Sequence, residues 1–576
     1  MIYCSTRKPA VNKNKSRFLI LCAALVMALP LTACGNRLED SAYFDSISGD
    51  DTVIVFTNDI HGYVLNSDTC IGLDGLKYFM DEVQKKTGNV ILVDSGDSYQ
   101  GNYMCLKSKG SYVTDLLSEL GYDVVALGNH EFDFGLSRVC ELASNSSFST
   151  VCCNLQYTGQ DENIKDELSS ILPYRIIDGI AFIGVDTPSV ADSIQVETVN
   201  EDGECSFQMG QNSPNELYET VQANIDECKA LGASTIVILS HLGDYAKTLS
   251  DYSSDKLIEN TSGIDILLDA HTHTIINGAE IRDRSGRMVP VYSTGARLTH
   301  IGAINLHKDN SFDVYLLDRA DGKDEAITAK IIDLKTAIDP DSGAVMTKSN
   351  LYIPYYGEGN MKNSSREDPL GNLLADAYRY AGKADIGILN ATSYRSEIPK
   401  GDITREMLYD LLPFSDALIV LEVKGLDIMN MLEASCRKTA DVYEDESGIP
   451  IGSNADFLQV SGLKYDIDTS IESGFITSKA NTFDNFNAAR RAGNIYVEIA
   501  GEYEPLDENK TYTLATSSYL AGGGCGMTML KDCPRTGTGL SEADAFIMYV
   551  NSLNGDLAKD YSDVQGRIGI ITEKRN

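Results

Sequence analysis

From Asp51 onward, short apolar runs alternate with longer stretches in which apolar residues recur every three or four positions, the pattern of strands layered with amphipathic helices. The runs Thr52 to Phe56, Asn89 to Val93, Asp123 to Leu127, Ala181 to Val185, Ser234 to Leu239 and Ile264 to Leu268 are predicted strands. All but one are closely followed by polar clusters: Asn58-Asp59, Asp94 to Asp97, Asn129-His130, Ser240-His241 and Asp269 to His273. Ligands of α/β folds bind just beyond strand ends. One such cluster is an ordinary loop; five in order point to a shared site.

The pattern breaks around Gly322 to Asn363, where the chain turns charged and Asp339-Pro340-Asp341-Ser342-Gly343 signals a turn. An amphipathic helix, predicted from Gly371 to Ala381, then opens a second domain. With 576 residues the chain exceeds what one core serves. The expected division is an export signal at 1–33, a tether at 34–50, a first domain at 51–321, a linker or hinge region at 322–363 and a second domain at 364–576.

The N-terminus carries Arg7, Lys8, Lys13, Lys15 and Arg17, then the apolar run Phe18 to Leu29, an order that reads as an export signal. The run is shorter than the roughly 20 residues that span a bilayer. Leu31-Thr32-Ala33-Cys34 resembles the lipobox of bacterial lipoproteins. That resemblance implies acylation of Cys34 and a protein held by lipid at the cell surface or on a periplasm-facing membrane.

Removal of residues 1–33 takes the formal charge from −36 to about −41. Nucleic-acid polymers are therefore excluded as partners, and a soluble monomer is expected. A small anionic substrate needs locally positive groups or metal ions. Ten cysteines follow Cys34, none with C-x-x-C spacing, and no disulfide pairing is deduced.

Two cations held close together overcome the repulsion that protects phosphate esters from attack, and such a site requires imidazoles, carboxylates and a shared ligand. Asp59-x-His61 and His271-x-His273 each set two ligands on one side of an extended segment, by the period-two alternation of side chains. Asp97 ends Asp94-Ser95-Gly96-Asp97, whose glycine permits a tight turn, and Asn129 follows Gly128. Of only seven histidines, five (His61, His130, His241, His271 and His273) fall in the strand-end clusters.

The strings FTNDIHGY, VDSGDSYQG, ALGNHEFDFG, LSHLGD and DAHTHT, in that order, resemble the calcineurin-like metallophosphoesterases, and specifically the bacterial 5'-nucleotidase family. The family commonly has Gly where Ala270 stands. The resemblance implies an α/β (α+β) architecture: a four-layer β-sandwich flanked by helices, a linker, and a C-terminal α/β nucleotide-recognition domain. It implies two divalent metal ions, Zn, Mn or similar. Asp59, His61, Asp97 and His273 would hold one; Asp97, Asn129, His241 and His271 would hold the other, with Asp97 bridging. His130 and Asp133 would form a catalytic dyad, and a metal-bound water or hydroxide would attack in line.

The second domain holds Arg366, Asn390, Arg395, Phe414, Tyr519 and Cys525. By themselves the two arginines offer forks for phosphate and the two aromatics offer faces for a base. The resemblance implies that Arg366, Asn390 and Arg395 contact substrate, with Phe414 and Tyr519 clamping the base. Cys525 stands where the family commonly has Asp for the ribose hydroxyls, and a thiol is a poor acceptor. Asn390 lacks the family's following Gly-Gly, having Ala391-Thr392-Ser393 instead. The expected activity is extracellular hydrolysis of nucleotide phosphomonoesters to nucleoside and phosphate. Alternatives on the same site are a 2',3'-cyclic-nucleotide phosphodiesterase or a hydrolase of UDP-sugars or nucleoside polyphosphates. A nucleotide-binding surface lipoprotein and an adhesion protein are the non-enzymatic alternatives.

Overall fold

A computed structural model describes residues 40–571 apart from 68, 158–161, 191–206, 245–247, 249, 356–365, 415, 438, 440–442, 445–449, 452–455, 472, 474, 478–482 and 487–489. The predicted export signal and Cys34 lie outside the described residues. No described helix is long and apolar enough to cross a membrane.

All six predicted strands form, at Thr52–Thr57, Asn89–Asp94, Val124–Ala126, Ile180–Asp186, Thr235–His241 and Ile266–Leu268. They divide between two sheets. The seven-stranded sheet runs Phe312–Leu317, Ile301–Leu306, Thr52–Thr57, Asn89–Asp94, Val124–Ala126, Ser149–Val151, Ile171–Leu172. The six-stranded sheet runs Ile275–Arg282, Met288–Thr294, Ile266–Leu268, Thr235–His241, Ile180–Asp186, Tyr174–Ile177.

Neighbouring central strands are parallel, for example Thr52 beside Asn89 and Thr235 beside Ile180. Parallel strands buried on both faces need uninterrupted apolar runs, and Thr235–His241 is buried throughout. Phe56, Val93, Phe182, Leu239 and Ile266 fill the space between the sheets. Each such side chain contributes about 1.5–3 kcal/mol on full burial. The packing is close enough that a Cβ at Gly302 would lie 2.0 Å from the Phe56 ring.

Helices Gly72–Gln84 and Ser111–Leu120 cover one outer face, and Pro214–Ala230 with Ser254–Asn260 covers the other. The result is four layers, helix-sheet-sheet-helix, with the parallel strands of both sheets ending at one rim.

Between residues 322 and 363 the chain first forms helix Glu325–Ile338, capped by Asp324, whose side chain accepts a hydrogen bond from the Ile327 amide. Ile327 and Ile331 are buried in the first domain, and Leu334 and Ile338 pack beside them. After the turn at residues 340–343, strand Val345–Ser349 pairs with Gly401–Thr404 of the second domain.

The second domain opens with helix Pro369–Gly382, started by Asp368 as N-cap and by proline at the first helical position. It packs on a five-stranded sheet ordered Leu458–Ser461, Ile386–Asn390, Thr511–Ser517, Ala417–Lys424, Arg535–Ser541. Strands Ile386–Asn390 and Thr511–Ser517 are parallel, while Ala417–Lys424 runs against them with Leu418 opposite Ser517. Asn390, Phe414 and Tyr519 are therefore carried to one end of this sheet.

Candidate metal centre and active site

The rim of the first domain gathers the predicted ligands, but not through strand alternation. Asp59, His61, Asp97, His271 and His273 have φ of 51°, 50°, 57°, 75° and 54°. The expectation of same-side ligands on extended segments is corrected here: left-handed turns, not pleating, aim Asp59 with His61 and His271 with His273. Such backbone costs roughly 1–3 kcal/mol per residue and persists only when surrounding contacts fix it.

Here the loops are stitched together. The amides of Asp59 and His61 donate to the carbonyls of Gly96 and Asp97 at 2.9 and 3.0 Å, and the Ser95 amide donates to Thr57 O at 3.0 Å. Asn58 Nδ2 donates to Asp59 Oδ2 and to Gly295 O, both at 2.7 Å. Gly96, at φ 96°, lies where a Cβ would come within 2.6 Å of the Gly128 amide.

Two ligand groups result, Asp59 with His61 and His273, and Asp97 with His241 and His271; within each, the ligand atoms lie within 4.8 Å of one another. Asp97 Oδ2 connects them, 3.0 Å from His241 Nε2 and 3.9 Å from His61 Nε2. Asn129 joins the second group through Oδ1, 2.9 Å from His271 Nδ1.

The donor chemistry fits cations. His61 Nδ1 and His241 Nδ1 each lie 2.8 Å from a carbonyl, of Gln100 and Ser95, which can only accept, so both Nδ1 atoms carry hydrogen. The Nε2 atoms then present lone pairs inward. Yet His61 Nε2 lies 3.0 Å from His273 Nε2, and His241 Nε2 lies 3.0 Å from Asp97 Oδ2. A cation among these groups would take up the lone pairs: burial pushes His61 down to about 4 and keeps it neutral, while at His241 Asp97 outweighs burial and holds a proton that a cation would replace. Backbone at Gly128 keeps the space open: a Cβ there would lie 2.4 Å from Asp97 Oδ1 and 2.7 Å from His241 Cε1.

His130 sits on the turn Asn129–Phe134 beside these groups. Its amide donates to Asp97 Oδ1 at 2.8 Å, and its Nδ1 lies 2.8 Å from Asp133 Oδ2. Burial disfavours protonation of His130, but Asp133 and Asp97 outweigh burial and hold its pKa above the ordinary histidine value.

Three nearby residues escaped sequence reasoning. Glu131 is buried, and its carboxylate accepts the amides of Asp97, Ser98, Tyr99 and Gly128 at 2.8, 2.8, 3.0 and 2.7 Å, joining two ligand loops. Asp186 ends the one predicted strand that lacked a polar cluster; burial raises its pKa well above the usual carboxylate range, with His241 opposing. Arg297 follows strand Met288–Thr294 and reaches the second domain, its Nη2 donating to Arg395 O at 2.9 Å.

From the second domain, Arg395 and Phe414 approach the metal groups. The Arg395 guanidinium lies 5.5 Å from the Phe414 ring centre, and that ring lies 6.4 Å from His130. A small cavity is lined by these three with His61, Arg297 and Pro413. Asn390 is buried, its Nδ2 donating to Thr392 Oγ1 at 2.9 Å. Arg366 lies at the edge of the described segment, its carbonyl accepting from Gln459 Nε2 at 2.8 Å. Tyr519 is 51% exposed and its ring lies over Gly524, where a Cβ would come within 2.5 Å.

Cys525, at φ 54°, places its amide 3.3 Å from Tyr519 Oη. Burial and Asp456 raise its thiol to about 12. Asp456, ion-paired with Arg437 at 2.6 Å, thus brings a carboxylate beside Cys525 that the sequence did not single out. The nine described cysteines are free thiols.

Stacked sheets with two carboxylate–imidazole groups at a common rim are suited to metal-assisted hydrolysis. Calcineurin-like phosphoesterase is the family matched by residues 52–274, and residues 346–532 match the 5'-nucleotidase C-terminal domain. The chain belongs to the 5'-nucleotidase family and is a metal-dependent phosphoester hydrolase.

It is 26% identical over 565 residues to the snake venom 5'-nucleotidase of Gloydius brevicauda, covering 89% of this chain and 88% of that one. Its fold is shared with a 5'-nucleotidase precursor from Thermus thermophilus, at 24% identity and TM-score 0.74, covering 91% of this chain and 100% of the other. A sulfate thiohydrolase from Thermus thermophilus shares the fold too, at 17% identity and TM-score 0.64, covering 92% and 98%.

Proposed function

We propose that this protein hydrolyses nucleoside 5'-monophosphates to nucleoside and phosphate outside the cytoplasm, anchored by lipid on Cys34. The observation that carries the substrate reading is the approach of Arg395 and Phe414 to His130, with a ring distance of 6.4 Å from Phe414. A cation for the phosphoryl oxygens and a face for a base therefore stand beside phosphoesterase chemistry. Relatives named 5'-nucleotidase across nearly their full length support the same reading.

Two divalent ions, Zn, Mn or similar, would be held by Asp59, His61, Asp97 and His273 and by Asp97, Asn129, His241 and His271. When bound they supply Lewis-acid charge at the phosphoryl group and ease deprotonation of water. The chain's own groups do the rest. Asp133 fixes the His130 tautomer and favours its protonated form, which stabilises developing charge or gives a proton to the leaving 5'-oxygen. Arg395 and Arg366 neutralise phosphoryl oxygens through planar forks. Phe414 and Tyr519 flank the base, and Asn390 with the Cys525 loop serves the sugar.

The soluble chain 35–576 with Mn or Zn should release phosphate from AMP, and chelator should abolish the release. A panel adding ADP, 2',3'-cyclic AMP, UDP-glucose and an aryl phosphate ranks the alternatives. Metal-loaded protein that bound AMP without releasing phosphate would instead identify a binding lipoprotein.

A further inference from the structure

We infer that Arg297 is a positioning residue that couples the metal loop of the first domain to the Arg395 loop of the second. The inference rests on the nucleotide reading above, in which both domains handle one substrate. Arg297 makes a contact on each side of the domain boundary. Its amide donates to Asp59 O at 2.8 Å, inside a predicted metal-ligand turn. Its Nη2 donates to Arg395 O at 2.9 Å. Tyr63, from the loop after Asp59 and His61, lies beneath the guanidinium, 4.5 Å from its ring centre.

The backbone is shaped for this reach: Arg297 and Leu298 have φ of 58° and 52°, a conformation that costs free energy in each non-glycine residue. The receiving loop is fixed in turn. The Arg395 amide donates to Leu411 O and its Nε to Thr392 O, both at 3.0 Å, while its guanidinium lies over Phe414.

A closed circuit follows, from Asp59 through Arg297 to Arg395, then Phe414 and His130, whose amide returns to Asp97. Other contacts cross the boundary, including Lys335 with Glu406 at 2.6 Å and the Tyr103 amide with Asp410 at 2.9 Å; these reach the Arg395 loop through helix Arg405–Leu411, whose last carbonyl takes the Arg395 amide, whereas Arg297 bonds that loop directly. Arg297 suits its place because a planar fork can stack on Tyr63 while one nitrogen donates outward; a lysine ammonium can donate but not stack as a plane. Without it, the metal groups and the Arg395 loop each keep their own supports, and what loosens is their register.

The test uses the full chain loaded with Mn, as wild type, Arg297→Ala and Arg297→Lys, with AMP and an aryl phosphate lacking a nucleoside. Arg297→Ala should lose about tenfold more kcat/KM on AMP than on the aryl phosphate, a coupling of the size contacting residues show. Arg297→Lys should recover part of the difference. Equal losses on both substrates, or none, would overturn the inference.

Hydrogen exchange without substrate supplies a second readout. Peptides spanning residues 391–397 should exchange faster in Arg297→Ala while the two sheets stay protected; unchanged exchange there sinks the inference. Wild type that cleaves the aryl phosphate but not AMP would overturn the nucleotide reading instead, and the exchange result would still decide the role of Arg297.

Discussion

The metal groups and the substrate-facing loops are built by opposite means. Asp59, Asp97 and His241 are almost wholly buried, sit at the ends of parallel strands, and are bound into their neighbours by backbone hydrogen bonds and by Glu131. Tyr519 is half exposed, Phe414 stands on a loop before its strand, and Arg366 borders a segment outside the described residues. Metal ligation tolerates errors of only about 0.5 Å, so its residues are held by strained turns that many contacts stabilise. A base is gripped by stacking faces, which tolerate displacement. On the proposed function, the first half fixes the reaction and the second adapts it.

The comparison is broken most directly at Asp97. Asp97→Ala removes the oxygen nearest both groups and leaves His241 facing no carboxylate at 3.0 Å. Phosphate release from every substrate should fall to the metal-free background, and metal content measured by atomic absorption should drop with it. His130→Ala comes next, with kcat lower by about 10²- to 10⁴-fold, the range for general acid–base groups, while metal content stays at the wild-type level. A His130→Ala enzyme with wild-type kcat would remove His130 from the chemistry.

Phe414→Ala sharpens the contrast from the other side. Base stacking is worth about 1–3 kcal/mol, so KM for AMP should rise roughly tenfold while aryl-phosphate kcat holds. Parallel losses on both substrates would mean that Phe414 supports His130 rather than a base. A smaller effect is expected at Cys525→Asp. The new carboxylate would gain charge-assisted hydrogen bonds to sugar hydroxyls but stand beside Asp456, so KM for AMP should fall by only about twofold to fivefold. An unchanged ranking of the nucleotide panel would show that this position does not set sugar recognition.

The same contrast explains what the sequence disclosed. Metal chemistry admits few residue types, so scarce histidines at strand ends were legible, and so was the layered fold, because sheets buried on both faces demand continuous apolar runs. Glu131 was not, being one of 84 acidic residues and marked only by the amides it accepts after folding. The left-handed turns at Asp59 and His61 leave no mark in the side-chain pattern that spacing can reveal. Asp186 obeyed the strand-end rule applied to its neighbours and could have been found by it. Helix Glu325–Ile338 carried the spacing Ile327, Ile331, Leu334, Ile338, which the charged composition around it obscured. Arg297 acts across two domains, and no local pattern encodes a contact made 98 residues away.

The smallest effect lies where the two halves meet. Asp410 of helix Arg405–Leu411 accepts the Tyr103 amide at 2.9 Å across the domain boundary. Burial, opposed by the Tyr103 amide, Lys335 and Arg297 and reinforced by Glu406, raises its carboxyl to about 7. A carboxyl raised from near 4 in the unfolded chain means that the folded state binds more protons between about pH 4 and 7, so this group's contribution to stability falls as pH rises through that window. Asp410→Asn removes the charge yet keeps an oxygen for the Tyr103 amide. The variant should melt a few degrees above wild type at pH 8 and level with it at pH 4, as scanning calorimetry would record. A variant that melts lower at pH 8 would show that the charged carboxylate, held by Lys335 and Arg297, is the form that joins the two domains.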